Sequence, residues 1–400
     1  MTKRLLLILA LCLPAFVYGQ APTSTSDIPL SPPPVYVASL NGSSQYFSKT
    51  SPAKGDLNGS EVILNANDRG FEDSVANWAG TGNHAIVRTT GDKRTGTASG
   101  RISSSGAGDT TSNYVTLPGN AYTIIADGNK ATLEVYARSG TATTTLSLNI
   151  ADTTLTSGNL STTPGSFTKV VFNYRLTAAR AGAAFRWYLN KAVDSVFVDD
   201  VSLTQAYDWI VFTKVKTSEA DGVIYDYRET GASTSPGHFL SVGTGSRVLI
   251  GSIGDNVGRV LAISTAVAGN NVDHTVAYTI DRTSTTGQRF YLDGVQNGTT
   301  GNPTTVGVVR NSASLFIGTA TVGSVYGGTI GEVLMVRYPS LPSDIATWIA
   351  HANTQRFIPE PPGGGETVLR VFGRRPDALD QSGNQGVLTN TGSTPIIQKQ

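Results

Sequence analysis

Two short stretches of this chain carry side chains suited to holding a polyhydroxylated ligand. In TLEVYARS, residues 132–139, Leu133, Val135 and Ala137 fall on one face of a strand, and Glu134, Tyr136 and Arg138 on the other. In AFRWYLN, residues 184–190, Phe185, Trp187 and Leu189 read as core, which leaves Arg186, Tyr188 and Asn190 outward. A sugar ring stacks its apolar C–H face on an aromatic ring, while guanidinium, amide and carboxylate groups satisfy its hydroxyls. Ordinary solvent-facing positions give the same pattern, because tyrosine is favoured in strands on its own account.

Catalytic patterns are missing from the sequence. It contains no H-E-x-x-H, no G-x-S-x-G elbow and no P-loop. The four histidines, His84, His238, His274 and His351, are scattered, and His274 sits in an alternating strand where a structural role is expected. The adjacent carboxylates Asp199 and Asp200 follow Val196 and Val198 and precede Val201; by themselves they also suit a solvated strand end.

These side chains need strands to hold them. The chain has 400 residues, 39% hydrophobic, only 15% charged and rich in glycine, which predicts real cores built from short strands and many turns. A net charge of +1, with no cluster of Lys and Arg, excludes a nucleic-acid footprint. Lys3 and Arg4 precede an apolar run from Leu5 to Val17, and residues 1–19 read as a secretory signal. The only cysteine, Cys12, would leave with it, without the context of a lipid anchor. The expectation is an exported protein, secreted or on a bacterial cell envelope, with no disulfides and no membrane span after signal cleavage. Sequons at Asn41, Asn58, Asn159 and Asn297 matter only in a eukaryotic secretory pathway.

The stretch SVFVDDVSL (Ser195 to Leu203), with Asn65 to Asp73 before Trp78 upstream, resembles the two ends of a family 4/9-type carbohydrate-binding module. Such modules open near N-G-x-F-E and close on a hydrophobic run with D-[DN]-V. Here Asp68-Arg69 separate Asn67 from Gly70, a departure from the tighter pattern. The resemblance implies a structural Ca²⁺ tying first strand to last, with Glu72 and Asp199 as side-chain ligands and a carbonyl from Gly70 or Asn67.

Outside that module a second resemblance appears. Asn41-Gly42 through Tyr46-Phe47 is similar to the opening of laminin G-like, concanavalin A-type sandwiches. The pattern resumes only at Tyr207 to Ser218, then runs through Asp273 to Tyr278, Arg289 to Gly294, Ser314 to Gly318 and Gly328 to Val333. A helix from Ser343 to Asn353, with Ser343 as N-cap and Ile345, Trp348, Ile349 and Ala352 on one face, closes it. Glycosidases of this fold carry E-x-D-x-x-E on one strand, and this chain has no such string.

The expectation is therefore all-β: two jelly-roll sandwiches, one inserted in the other. Residues 20–34 form a linker; 35–61 and 207–355 form the host; 62–206 form the insert. A Pro/Gly linker follows at 356–366, then a tail at 367–400 that is either a vestige or an added edge strand. The expected function is non-catalytic recognition of a polysaccharide or glycoconjugate. A structural module with a protein partner on the bacterial surface is the alternative, and a cryptic glycoside hydrolase the third reading.

Overall fold

The structure, a computed structural model, describes residues 35–41, 46–49, 58–61, 69–107, 112–117, 129–140, 142–150, 153–177, 184–190, 193–230, 234–243, 245–310, 313–320, 325–372, 389–391 and 396–399. The expected signal at 1–19, the linker at 20–34, Asn65 to Asp68 and the stretch Asp377 to Asn384 lie outside the described residues.

The fold is all-β, two sandwiches built of antiparallel sheets. The first has an eight-stranded sheet in the order Val295–Gly301, Gln288–Leu292, His274–Ile280, Asp208–Lys216, Gly327–Tyr338, Val35–Asn41 and Ile396–Lys399, with Glu366–Val371 also paired to Gly327–Tyr338. Its seven-stranded partner runs Arg259–Val267, Val248–Gly254, Gly237–Val242, Gly222–Arg228, Leu315–Ile317, Tyr46–Lys49 and Thr389–Thr391. Between them pack Trp209, Tyr225, Leu240, Tyr278, Phe290 and Met335, all buried. The sheets draw on both sides of residues 62–206, so the insert interrupts a sandwich that closes around it in sequence.

Two local features explain this sandwich's shape. Asp293-Gly294 takes φ of 52° and 83°, the left-handed pair that a two-residue hairpin turn needs. The helix Ile345–Thr354 packs Ile345, Trp348, Ile349 and Ala352 onto Ile210, Phe212, Leu334 and Val336 on the outer side of the eight-stranded sheet. Its N-cap is Asp344, without a side-chain cap bond, in place of the expected Ser343. Residues 356–366 are not a loose linker: Trp348 Nε1 donates to the Glu360 carbonyl at 2.9 Å, and the Tyr338 hydroxyl donates to that of Pro362 at 3.1 Å. The tail contributes the strands Glu366–Val371, Thr389–Thr391 and Ile396–Lys399, each paired within the host.

The inserted sandwich pairs a five-stranded with a six-stranded sheet. The first runs Thr153–Thr156, Leu146–Ile150, Phe185–Leu189, Tyr114–Thr116 and Ala79–Thr81. The second runs Thr168–Arg175, Lys130–Ser139, Val193–Ala206, Ser99–Ser104 and His84–Thr89, with Asn58–Glu61 paired to Val193–Ala206. Asn58–Glu61 was expected to belong to the host, yet its pairing lies with the insert. Leu133, Val135, Phe185, Trp187, Val196 and Val198 meet in the core, each full burial contributing roughly 1.5–3 kcal/mol.

Polar side chains join the two sandwiches. Lys130 of the insert is 2.5 Å from Asp208 and 2.5 Å from Asp281 of the host. Lys169 lies 3.1 Å from Glu134 and 2.9 Å from host Asp255. Arg282, fully buried, donates to the Val306 and Gly307 carbonyls of its own sandwich and to Asn58, Thr132 and Asn173 across the junction. Asn173 in turn donates to the carbonyls of Thr304 and Val306, both at 2.8 Å. The chain passes from insert to host through Tyr207 alone, between strands ending at Ala206 and starting at Asp208.

Candidate functional site

The six side chains suited to a polyhydroxylated ligand divide between two sheets. Lys130–Ser139 is in the six-stranded sheet and Phe185–Leu189 in the five-stranded sheet. Both strands alternate as expected, but their outward faces lie on opposite sides of the insert's core. Alternation separates inward from outward residues and says nothing about which sheet a strand joins.

The first triplet is engaged in structure. Glu134 accepts the Val308 N–H of the host at 2.8 Å, so it belongs to the junction. The Arg94 guanidinium lies 3.5 Å from the centre of the Tyr136 ring and covers it; burial pushes the Tyr136 phenol above its usual pKa. Arg138 is buried, paired with Asp92 and placed 4.4 Å over the Phe197 ring; burial lowers its pKa. None of the three presents a free stacking surface.

The second triplet shares the outer face of the five-stranded sheet. Register sets Arg186 between Asn149 and Thr116, and Tyr188 opposite Ser147. The Arg186 guanidinium lies 4.5 Å from the Tyr114 ring centre, which orients both groups along the sheet. Asn190 donates to Thr145 at 2.5 Å and accepts from Ser147 at 3.0 Å. Thr154 and Thr156 stand exposed at the edge, beside Asn149 and Ser147. The face thus offers two partly exposed tyrosine rings, that of Tyr114 with one side taken by the Arg186 guanidinium, and the exposed Asn190, Thr154 and Thr156, while Ser147 and Asn149 are buried beneath them. Sequence reasoning missed Tyr114, Ser147 and Asn149. The alternation of Tyr114-Val115-Thr116 around buried Val115 is the signal that would have found the tyrosine.

The expected calcium ligands flank one loop. Phe71 has φ 57° and packs on Trp78 at 5.2 Å and against Gly100, where a Cβ would come within 2.8 Å of its ring. This holds Glu72 beside Thr97, whose N–H (2.8 Å) and hydroxyl (2.6 Å) both donate to its carboxylate. The hydroxyl bond is the chief cause holding the Glu72 carboxyl below its usual pKa. Asp199 is fully buried and accepts the N–H groups of Arg94 (2.9 Å), Thr95 (3.1 Å) and Asp200 (2.8 Å). Asp200, at φ 48° in a bulge of the last strand, pairs with the Arg94 guanidinium. The carboxylates therefore face N–H and O–H donors, and the Arg94 guanidinium supplies the countercharge to Asp200. Among the described residues no group of three or more His, Cys, Asp or Glu is placed to hold a metal. Gly70 is described and half-buried, and no ligand role follows from its position.

A polar cavity of about 250 Å³ in the host is lined by Asp273, His274, Asp293, Glu332 and Arg356 among others. Its carboxylates are committed. Asp293 pairs with His274 Nδ1 at 2.7 Å and accepts the Thr275 N–H, while Glu332 accepts from Arg370 and from the Ile358 N–H. The second nitrogen of His274 lies 3.0 Å from Asn270.

No family model matches the chain, and no curated protein matches it. Solved structures similar to it include carbohydrate-binding modules and lectin-like sandwiches. The CBM22-1 xylan-binding domain of Paenibacillus barcinonensis Xyn10C is 14% identical over 37% of this chain and 96% of that one, with a TM-score of 0.29. Domains LG4-5 of the mouse laminin alpha1 chain are 8% identical over 53% of this chain and 83% of that one, at 0.25. The SAP-like pentraxin of Limulus polyphemus is 9% identical over 68% and 96%, at 0.32. At such scores the likeness carries no argument about what this chain binds.

Proposed function

We propose that this chain is an exported, non-catalytic carbohydrate-binding protein whose ligand lies on the outer face of the insert's five-stranded sheet. One observation carries the reading: the partly exposed Tyr114, Arg186 and Tyr188 share that face with the exposed Asn190, Thr154 and Thr156, while the junction contacts with the host leave from the six-stranded sheet. Aromatic rings beside guanidinium and amide groups suit an extended chain of sugar residues. Each stacking ring contributes about 1–2 kcal/mol, so binding rests on several weak contacts.

Titration of the full chain against a panel of soluble polysaccharides tests this. Tyr188→Ala with Tyr114→Ala should weaken binding at least tenfold without moving the melting temperature, and Tyr136→Ala should leave binding unchanged. Equal loss in Tyr136→Ala and in the double variant would sink the assignment. A second reading, a docking module for a protein partner, is favoured by an apolar row on the host's edge strand, Leu261, Ile263 and Val267, each about two-fifths exposed at 41%, 40% and 42%. Failure of every polysaccharide to bind would favour it.

A further inference from the structure

The Lys130 ammonium is stripped of water and held between two carboxylates from another sandwich. Its Nζ lies 2.5 Å from Asp208 Oδ2 and 2.5 Å from Asp281 Oδ1, with side-chain exposures of 2% for the lysine, 0% for Asp208 and 34% for Asp281. Both carboxylates are fixed by other donors. Asp208 Oδ1 accepts the Arg282 N–H at 2.8 Å, and its Oδ2 the Leu341 N–H at 2.7 Å. Asp281 Oδ1 accepts the N–H and hydroxyl of Thr283 at 3.0 and 3.1 Å. Holding three charges together with two of them, Lys130 and Asp208, almost wholly buried is costly even when they are paired. A reaction that removes two of them is favoured by the site that holds them.

We propose that Lys130 and Asp208 join in an intramolecular amide bond, with Asp281 as the proton carrier. Asp281 first takes a proton from the ammonium, leaving Nζ a free amine. Nζ attacks Cγ of Asp208 in its neutral acid form, and the negative charge that develops on Oδ1 faces the Arg282 N–H. Asp281 then gives its proton to the Oδ2 hydroxyl, which departs as water, and takes the second proton from Nζ. One N–C bond forms, one C–O bond breaks, one water leaves and nothing is oxidised or reduced. Asp281, open to solvent over a third of its side chain, afterwards releases its proton.

The states of the two acids support these roles. Burial pushes the Asp208 carboxyl up to about 6, which makes its neutral, electrophilic form accessible. Burial also acts to raise Asp281, but the charge and hydrogen bond of Lys130 together with the Thr283 donors outweigh it, so that carboxyl lies below its usual value and is ionised, free to accept a proton. The bond would tie the insert's Lys130–Ser139 strand to the first residue of the host strand Asp208–Lys216.

Mass spectrometry of a tryptic digest of the full chain decides the matter. The expected product is one branched peptide, residues 102–138 joined to 192–214, lighter than the two together by one water and uncut after Lys130. Dehydration at an Asp-Gly pair loses the same mass without branching, so the branch is the readout. Lys130→Arg and Asp281→Asn should each give separate, unmodified peptides. Wild-type protein that stays cleavable after Lys130, at full peptide mass after days at neutral pH, overturns the proposal. So does a branch that persists in Asp281→Asn, since the carrier would then be something else.

Discussion

Glu134 of the inserted sandwich accepts the backbone N–H of Val308, 174 residues away in the host, at 2.8 Å. The same oxygen lies 3.1 Å from Lys169, which also reaches Asp255. A carboxylate that reads as a sugar ligand in sequence is thus a fastener between two sandwiches. Glu134→Ala should cost about 1–3 kcal/mol in denaturant unfolding, because it orphans an N–H and weakens a half-buried ion pair. Polysaccharide affinity should not change. Lost affinity at unchanged stability would return Glu134 to the binding site.

Arg282 is the larger fastener. Its guanidinium is buried and serves five acceptors, with burial bringing its pKa down to about 10. Arg282→Met should cost on the order of 3–5 kcal/mol, the range for removing one partner of a buried charged network. Scanning calorimetry should then resolve two transitions, one per sandwich, where the wild type gives one. A single transition at the wild-type temperature would show that the junction depends on other contacts.

Acid should loosen the same junction through Asp255. Burial acts to raise this carboxyl, but Lys169 and the N–H groups of Gly258 and Gly307 outweigh it, so its folded pKa lies below the usual value. A depressed acid contributes stability that is present above the unfolded pKa of about 3.9 and is lost as pH falls through the folded value. Melting temperature should therefore decline below about pH 4. Asp255→Asn should flatten that decline; an unchanged slope would remove Asp255 from the account.

Calcium is expected to be dispensable. Glu72 and Asp199 are served by N–H and hydroxyl donors from the loop between them. Chelation should leave the melting temperature unmoved, while Arg94→Ala, which removes the countercharge at Asp200, should lower it. A fall of several degrees on chelation, restored by added Ca²⁺, would show a cation doing what the loop does here.

Much of the fold was legible because side-chain period follows backbone geometry. Leu133, Val135 and Ala137, and likewise Phe185, Trp187 and Leu189, are buried as their alternation predicts. Trp78 and Trp209 are core residues, and the helix buries the four side chains its spacing selects. What alternation cannot carry is the identity of the neighbouring sheet. Tyr136 and Tyr188 were therefore placed together, although the core separates them. Nor does an outward polar residue announce whether water or another sandwich will meet it, so Glu134, which reads as a ligand residue, lies at the junction with Lys169 and Asn173. The tail's Glu366–Val371 strand was undecided for the same reason, since its partner strand lies 29 to 38 residues upstream in the register Arg337↔Glu366 to Val333↔Val371.

Val35 and Lys399 are register partners in neighbouring antiparallel strands, so the described chain begins and ends at one spot. Tension applied between those two points would open that pair of strands like a zipper, one hydrogen bond after another, where a sheared pair would resist with all its bonds at once. The sheets of the inserted sandwich take no part in that pair of strands. A ligand held on its five-stranded sheet would stay bound while the host's terminal strands gave way.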